Sequence, residues 1–153
     1  MNQRGIRAIR EVTPEDADAW RHLRVKLFGE GDHAAEIAAY FAGTAAEPHA
    51  VFVAETDNGN LCALAEVSRR HEYVEGVEIY PVAYLEGWYV EPEFRRQGLG
   101  TLLITHAEKW ALDAGMSQLA SDAVSGNHVS LEAHLLKTLN GNKPATLSTV
   151  VAG

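Results

Sequence analysis

Residues 84–111 read YLEGWYVEPEFRRQGLGTLLITHAEKWA, and the fold follows from how this stretch changes character along its length. Tyr84 to Val90 is apolar and aromatic, the composition of a strand. Pro92 breaks it. Arg95-Arg96-Gln97-Gly98-Leu99-Gly100 forms a glycine-containing turn, after which Leu102, Leu103, His106, Ala107, Trp110 and Ala111 follow a helical apolar pattern. Strand, turn and helix in that order place unpaired N–H groups and a positive dipole end beside two glycines that let the backbone approach a guest. A phosphate or pyrophosphate is the guest that suits such a site. The spacing is neither GxxxxGKS/T nor GxGxxG, which argues against a Walker ATPase or a Rossmann dinucleotide site.

Working outward, residues 6–12 (IRAIREV) are expected to form a first strand. Thr13-Pro14-Glu15-Asp16 carries the signs of a helix start, with Thr as N-cap, Pro at the first position and acids in the first turn. Trp20, Leu23, Leu27 and Phe28 continue that helix to Gly29, and a second helix runs from Asp32 to about Gly43. Strands are expected over His49–Glu55 and Leu61–Val67, joined by the turn Asp57-Asn58-Gly59-Asn60. Arg69 to Tyr80 is polar and is assigned to a strand end leading into a loop. After the central helix, which ends near Gly115, a short strand covers Gln118–Ala123 and a last helix Asn127 to about Leu139. The order β-α-α-β-β-β-α-β-α implies a mixed α/β fold with a central twisted sheet flanked by helices, in a single domain over 1–153.

Composition narrows the function. Hydrophobic residues at 46% and charged residues at 22% are ordinary for a soluble globular chain. No run approaches the roughly 18 apolar residues of a membrane span, and the charged start MNQRGIRAIREV does not resemble a signal peptide. The one cysteine, Cys62, excludes an internal disulfide framework and a Cys-based zinc site. His22, His71, His106, His128 and His134 share no metal-ligand spacing. A cytoplasmic enzyme without membrane or metal is the expectation. The 21 acidic against 13 basic residues give a net charge of −8, which argues against nucleic acid and favours a cationic small molecule. Against that background Arg95-Arg96 is a local positive spot fit for an anionic cofactor.

The run V-x-P-x-F-R-x-x-G-x-G resembles the acetyl-CoA pyrophosphate loop of the GCN5-related N-acetyltransferases, onto whose pattern Arg95, Arg96, Gln97, Gly98, Leu99 and Gly100 fall one by one. The resemblance sharpens over about 6–135 toward the aminoglycoside 6'-N-acetyltransferases. It is carried by D-A-x-x-W-x-x-L-R-x-x-L from Asp16, EYVEG from Glu72, PVAYLEGWYV from Pro81, ASDA from Ala120 and N-x-x-S-x-x-x-H from Asn127. It implies acetyl transfer from acetyl-CoA to an aminoglycoside amine, with substrate contacts at Trp20, Tyr73, Glu86 and Asp122. It implies that the backbone of Trp88, Tyr89 and Val90 holds the pantetheine arm with Asn127 opposite. The amides of 95–100 and Thr101 would then hold the pyrophosphate.

The residues themselves can be weighed beside those roles. Glu86 lies between Leu85 and Gly87 in an apolar strand, where an unpartnered charge is costly, and it is the first choice as general base, with Asp122 second. Trp20 on an amphipathic helix is as readily a core residue. Glu72 and Glu75 read as solvated loop charge. No tyrosine follows Tyr89, so the leaving thiolate must be protonated by solvent or another group. After His134 the family continues with an Ala-Leu-Gly-Phe element and two closing strands, whereas this chain reads LLKTLNGNKPATLSTVVAG, with strand character only over Thr146–Val151. Residues 136–153 therefore diverge, and a homodimer that covers an incomplete sheet edge is expected. Two alternatives stay open: an acetyltransferase for another polyamine or a protein amine, and a CoA-binding protein with impaired catalysis.

Overall fold

The computed structural model describes residues 5–74, 76–121 and 148–151. Among the described residues six strands form one sheet in the order β1-β2-β3-β4-β5-β6. They are β1 (Ile6–Glu11), β2 (Ala50–Thr56), β3 (Leu61–Arg70), β4 (Val82–Val90), β5 (Gln118–Ser121) and β6 (Ser148–Val151). Neighbours from β1 to β4 run antiparallel, and β4–β5 and β5–β6 run parallel. Helices α1 (Ala17–Phe28) and α2 (His33–Ala42) join β1 to β2, and α3 (Leu99–Asp113) joins β4 to β5. The expected strand-turn-helix over 84–111 is present. The expected last helix from Asn127 lies outside the described residues.

Both faces of the sheet are covered. Leu103, Ile104, Ala107 and Ala111 of α3 pack with Phe52, Ala65, Leu85 and Trp88 on one side. Trp20 and Leu23 of α1 and Ile37 of α2 pack with Val51, Val53, Leu64 and Tyr89 on the other. Two covered faces explain why β2 and β3 read as continuous apolar runs rather than alternating ones. Cys62 is buried here, and burial, with Glu91 and Glu93 nearby, pushes its thiol up to about 12.

The helix starts follow local chemistry. Thr13 precedes Pro14 as expected, and the Asp16 carboxylate accepts the Thr13 N–H at 2.8 Å and two Arg10 donors at 2.7 and 3.1 Å. α1 stops at Gly29 and α2 at Gly43, both at positive φ, where a glycine carries no Cβ penalty. β3 extends to Arg70 and β4 begins at Val82, longer than the expected 61–67 and 84–90, because Arg69 and Arg70 pair with Ala83 and Val82. Among the described residues no helix is long and apolar enough to cross a membrane.

Candidate active site

β4 carries the decisive irregularity. Glu66 pairs with Gly87 and Val67 with Leu85, so Glu86 is an extra residue with no partner opposite it on β3, a β-bulge. Before the bulge Ala83 and Leu85 face the α3 side; after it Trp88 and Val90 do, a change from odd to even positions. Glu86 is the one residue of β4 that is not buried. The bulge turns it into a cavity of about 320 Å³ between α1, α2 and the sheet. Arg24, Glu36, Glu47, Glu66 and Glu86 line this cavity together with Phe28, Pro48 and three alanines.

Within the cavity the carboxylates have different surroundings. Glu66 is 1% exposed and accepts from the Trp20 indole at 2.8 Å and from Arg24 Nε and Nη2 at 2.8 and 3.1 Å. Arg24 also donates to Glu36. Burial opposes the Arg24 charge, but Glu66 and Glu36 outweigh it and hold the guanidinium firmly protonated. Glu86 takes two hydrogen bonds from Arg70, 3.0 Å from Nε and 2.7 Å from Nη2. The Arg70 guanidinium lies 3.8 Å from the Tyr84 ring centroid, and Nη2 is 4.0 Å from Glu47. Burial pushes the Glu86 carboxyl above its usual range; Glu47 adds to the rise, and Arg70 opposes it without cancelling it.

A second cavity, about 240 Å³, lies four residues along β4, lined by Val90, Phe94, Arg95, Arg96, Gly98, Leu99, Gly100 and Thr101. The first α3 ladder bond runs from the Leu102 N–H to the Gly98 carbonyl, so the amides of Leu99, Gly100 and Thr101 precede that ladder. Gly98 has φ +82, and a Cβ on Gly100 would sit 2.8 Å from Trp88 Cζ2. The Trp88 indole N–H donates to the Gly100 carbonyl at 3.2 Å. Arg95 Nε donates to the Val90 carbonyl at 2.7 Å, tying the loop to β4, while Arg96 is exposed. Parallel pairing of β4 with β5 covers Ala83 to Leu85, and among the described residues no β5 partner faces Glu86 to Val90. A loop of amides at a positive helix end, beside a stretch of β4 with no described β5 partner, fits an anionic cofactor with an extended arm.

The sequence expectations sort accordingly. Glu86 lies in the first cavity, and Arg95, Arg96, Gly98, Leu99, Gly100, Thr101 and Val90 line the second; Gln97 sits in the same loop, its Nε2 bonded to the Phe94 carbonyl at 3.5 Å. Trp20 lies in the core beneath the first cavity rather than on its surface. It has no exposed surface, and its indole supports the cavity floor through Glu66. Trp88 and Leu99 side chains are core, which leaves their backbone for any ligand. Tyr73 is 78% exposed on the loop after β3 and does not line the cavity. Asp122 and Asn127 lie outside the described residues.

Sequence reasoning missed Arg24, Glu36, Glu47, Glu66 and Arg70. Glu66 carried the signal that marked Glu86, a lone acid in an apolar strand; Glu47 and Arg70 carried none. Among the described residues no three His, Cys, Asp or Glu side chains gather to hold a metal.

Residues 17–137 match the Acetyltransferase (GNAT) family. The aminoglycoside N(6')-acetyltransferase type 1 of Klebsiella aerogenes is 40% identical over 130 residues, 83% of this chain and 85% of that protein. The structure of aminoglycoside N-acetyltransferase AAC(6')-Iy in complex with CoA superposes with a TM-score of 0.72 at 33% identity, covering 92% and 91% of the two chains. A structure of AAC(6')-Iy with the bisubstrate analogue CoA-S-monomethyl-acetylneamine gives 0.71 at 33% identity, over 87% and 88%. With its bulged strand and glycine loop set in that shared fold, the chain belongs to the GNAT acetyltransferases, in the branch of the aminoglycoside 6'-N-acetyltransferases.

Proposed function

We propose that this protein transfers the acetyl group of acetyl-CoA to the 6'-amine of aminoglycosides, as its relatives' names describe. The carrying observation is the adjacency of two unlike sites on one strand. An acid-lined cavity meets β4 at Glu86, and a basic, glycine-rich loop meets it at Val90, about 13 Å further along the strand. A polycationic amine fits the first and a pyrophosphate the second. The bisubstrate analogue bound by AAC(6')-Iy joins those two chemistries in one molecule.

Acetyl-CoA supplies an activated acyl group; the chain supplies position and charge. An ammonium is no nucleophile, so a carboxylate must first take its proton, and Glu86 is the described carboxylate that is both half-buried and raised. Each Glu86 oxygen holds one Arg70 bond and keeps a second lone pair for the amine. Asp122 is the second candidate. A backbone N–H of Trp88 to Val90 would receive the charge that develops on the acyl oxygen. Glu36 and Glu47 offer further carboxylates to the remaining ammonium groups, and Tyr73 offers an exposed aromatic face outside the cavity.

The test is CoA thiol release with and without kanamycin, in wild type and Glu86→Gln. Kanamycin-dependent release that falls at least about a hundredfold in the variant supports both reaction and base. Release with no dependence on any aminoglycoside overturns the substrate assignment. We also infer a homodimer in the compartment where acetyl-CoA is made. β6 is the outermost strand among the described residues, and a second copy pairing there would extend the sheet. Light scattering that returns the mass of one chain would refute it.

A further inference from the structure

Three charged groups meet at the acidic cavity: Glu47 from the segment before β2 and Glu86 in the β4 bulge line it, and Arg70 at the end of β3 approaches both. Arg70 belongs to both carboxylates but not equally. It makes two hydrogen bonds to Glu86 and only a 4.0 Å approach to Glu47. Its guanidinium is stacked on the Tyr84 ring, and Tyr84 is 6% exposed in the core, so the plane that Arg70 presents to Glu86 is fixed from behind. A two-bond Arg–carboxylate pair with one partner immobilised restricts the other in direction as well as distance. Glu47 is on the exposed side, at 55%, facing the same guanidinium.

We infer that Arg70 is a positioning residue that aims Glu86 into the cavity, and that Glu47 tunes Glu86 by competing for the same guanidinium. This inference rests on the assignment of Glu86 as the base. Among the described residues the other charged groups around Glu86 are already engaged. Arg24 and Glu66 are bonded to each other and Arg24 to Glu36, and the His49 ring accepts the Arg69 N–H at 3.0 Å. The balance at Glu86 is therefore set by burial, which favours the protonated form, by Arg70, which favours the ionised form, and by Glu47, which disfavours it. A base works only when ionised, so activity falls as pH drops through the Glu86 transition. Removing the Arg70 charge moves that acidic limb to higher pH. Removing the Glu47 charge moves it to lower pH. Two variants in one cavity thus shift one transition in opposite directions, which a loss of packing does not do.

The experiment is the pH profile of kcat/KM for kanamycin acetylation in wild type, Arg70→Met, Arg70→Lys, Glu47→Gln and Glu86→Gln. The amine's own ionisation contributes to the limb but is the same in every profile. The expected result is an acidic limb displaced upward in Arg70→Met, with kcat lowered about tenfold or more, partly restored in Arg70→Lys and displaced downward in Glu47→Gln. Superimposable limbs in Glu47→Gln and wild type, or displacement of both variants the same way, overturn the inference. Glu47 is exposed, so its variant carries the test even where Arg70→Met fails to fold. An undiminished Glu86→Gln removes the base assignment itself and this inference with it. An inactive Glu86→Gln with immobile limbs removes only this inference.

Discussion

Glu66 and Glu86 are each a single acid in an otherwise apolar strand, and their surroundings differ in burial and in the number of donors. Glu66 accepts three hydrogen bonds at 1% exposure and is bound into the α1 face. Glu86 has one donor residue, Arg70, a second carboxylate beside it, Glu47, and a raised carboxyl. Replacing Glu66 by Gln leaves Arg24 buried with half its countercharge, and breaking a buried pair costs about 3–5 kcal/mol. Urea unfolding of Glu66→Gln should show that loss. Glu86→Gln should show none at neutral pH. A carboxyl raised on folding contributes stability below its unfolded value that is lost as pH rises through the folded one, so an uncharged side chain is tolerated there. Denaturation midpoints of the two variants, measured side by side, check the contrast.

At the scale of elements, the loop is held by contacts its sequence only partly announces. Glycine at 98 and 100 was legible, and so was the helix that follows. That Gly100 is required by the Trp88 indole was not, because the contact joins residues twelve apart across a change of element. Gly100→Ala places a Cβ 2.8 Å from a buried ring edge, an overpacking that costs about 1–3 kcal/mol. The loop, rather than the sheet, should give way, so calorimetry should show weaker CoA binding with the sheet intact by circular dichroism. Trp88→Phe in the same chain removes the ring edge and should return part of the affinity. The bulge was equally hidden, since a one-residue phase change leaves composition untouched and only the pairing of β3 with β4 reveals it. The element order and the Pro14 start were legible because they rest on local chemistry. The cavity was not, because its members come from α1, α2, the segment before β2, β3 and β4.

The whole molecule carries a net charge of −8. Its field draws in a polycation and opposes an anionic cofactor, which then depends on the local loop. Salt should therefore act with opposite sign on the two ligands. As the Debye length shortens from about 10 Å at 0.1 M toward about 3 Å at 1 M, KM for kanamycin should rise while the association rate of CoA should not fall. Steady-state kinetics over a salt series, paired with stopped-flow CoA binding, checks this; a salt-insensitive KM for kanamycin would contradict it.

Cys62, buried on β3 at 2% exposure with its thiol pushed up to about 12, is the chain's one cysteine. An electrophilic dye added to the folded protein at neutral pH meets neither an accessible sulfur nor a thiolate. Every chromophore released in a continuous colorimetric trace then comes from coenzyme, so turnover is counted against a silent background, and a slow baseline drift becomes a direct readout of the protein opening.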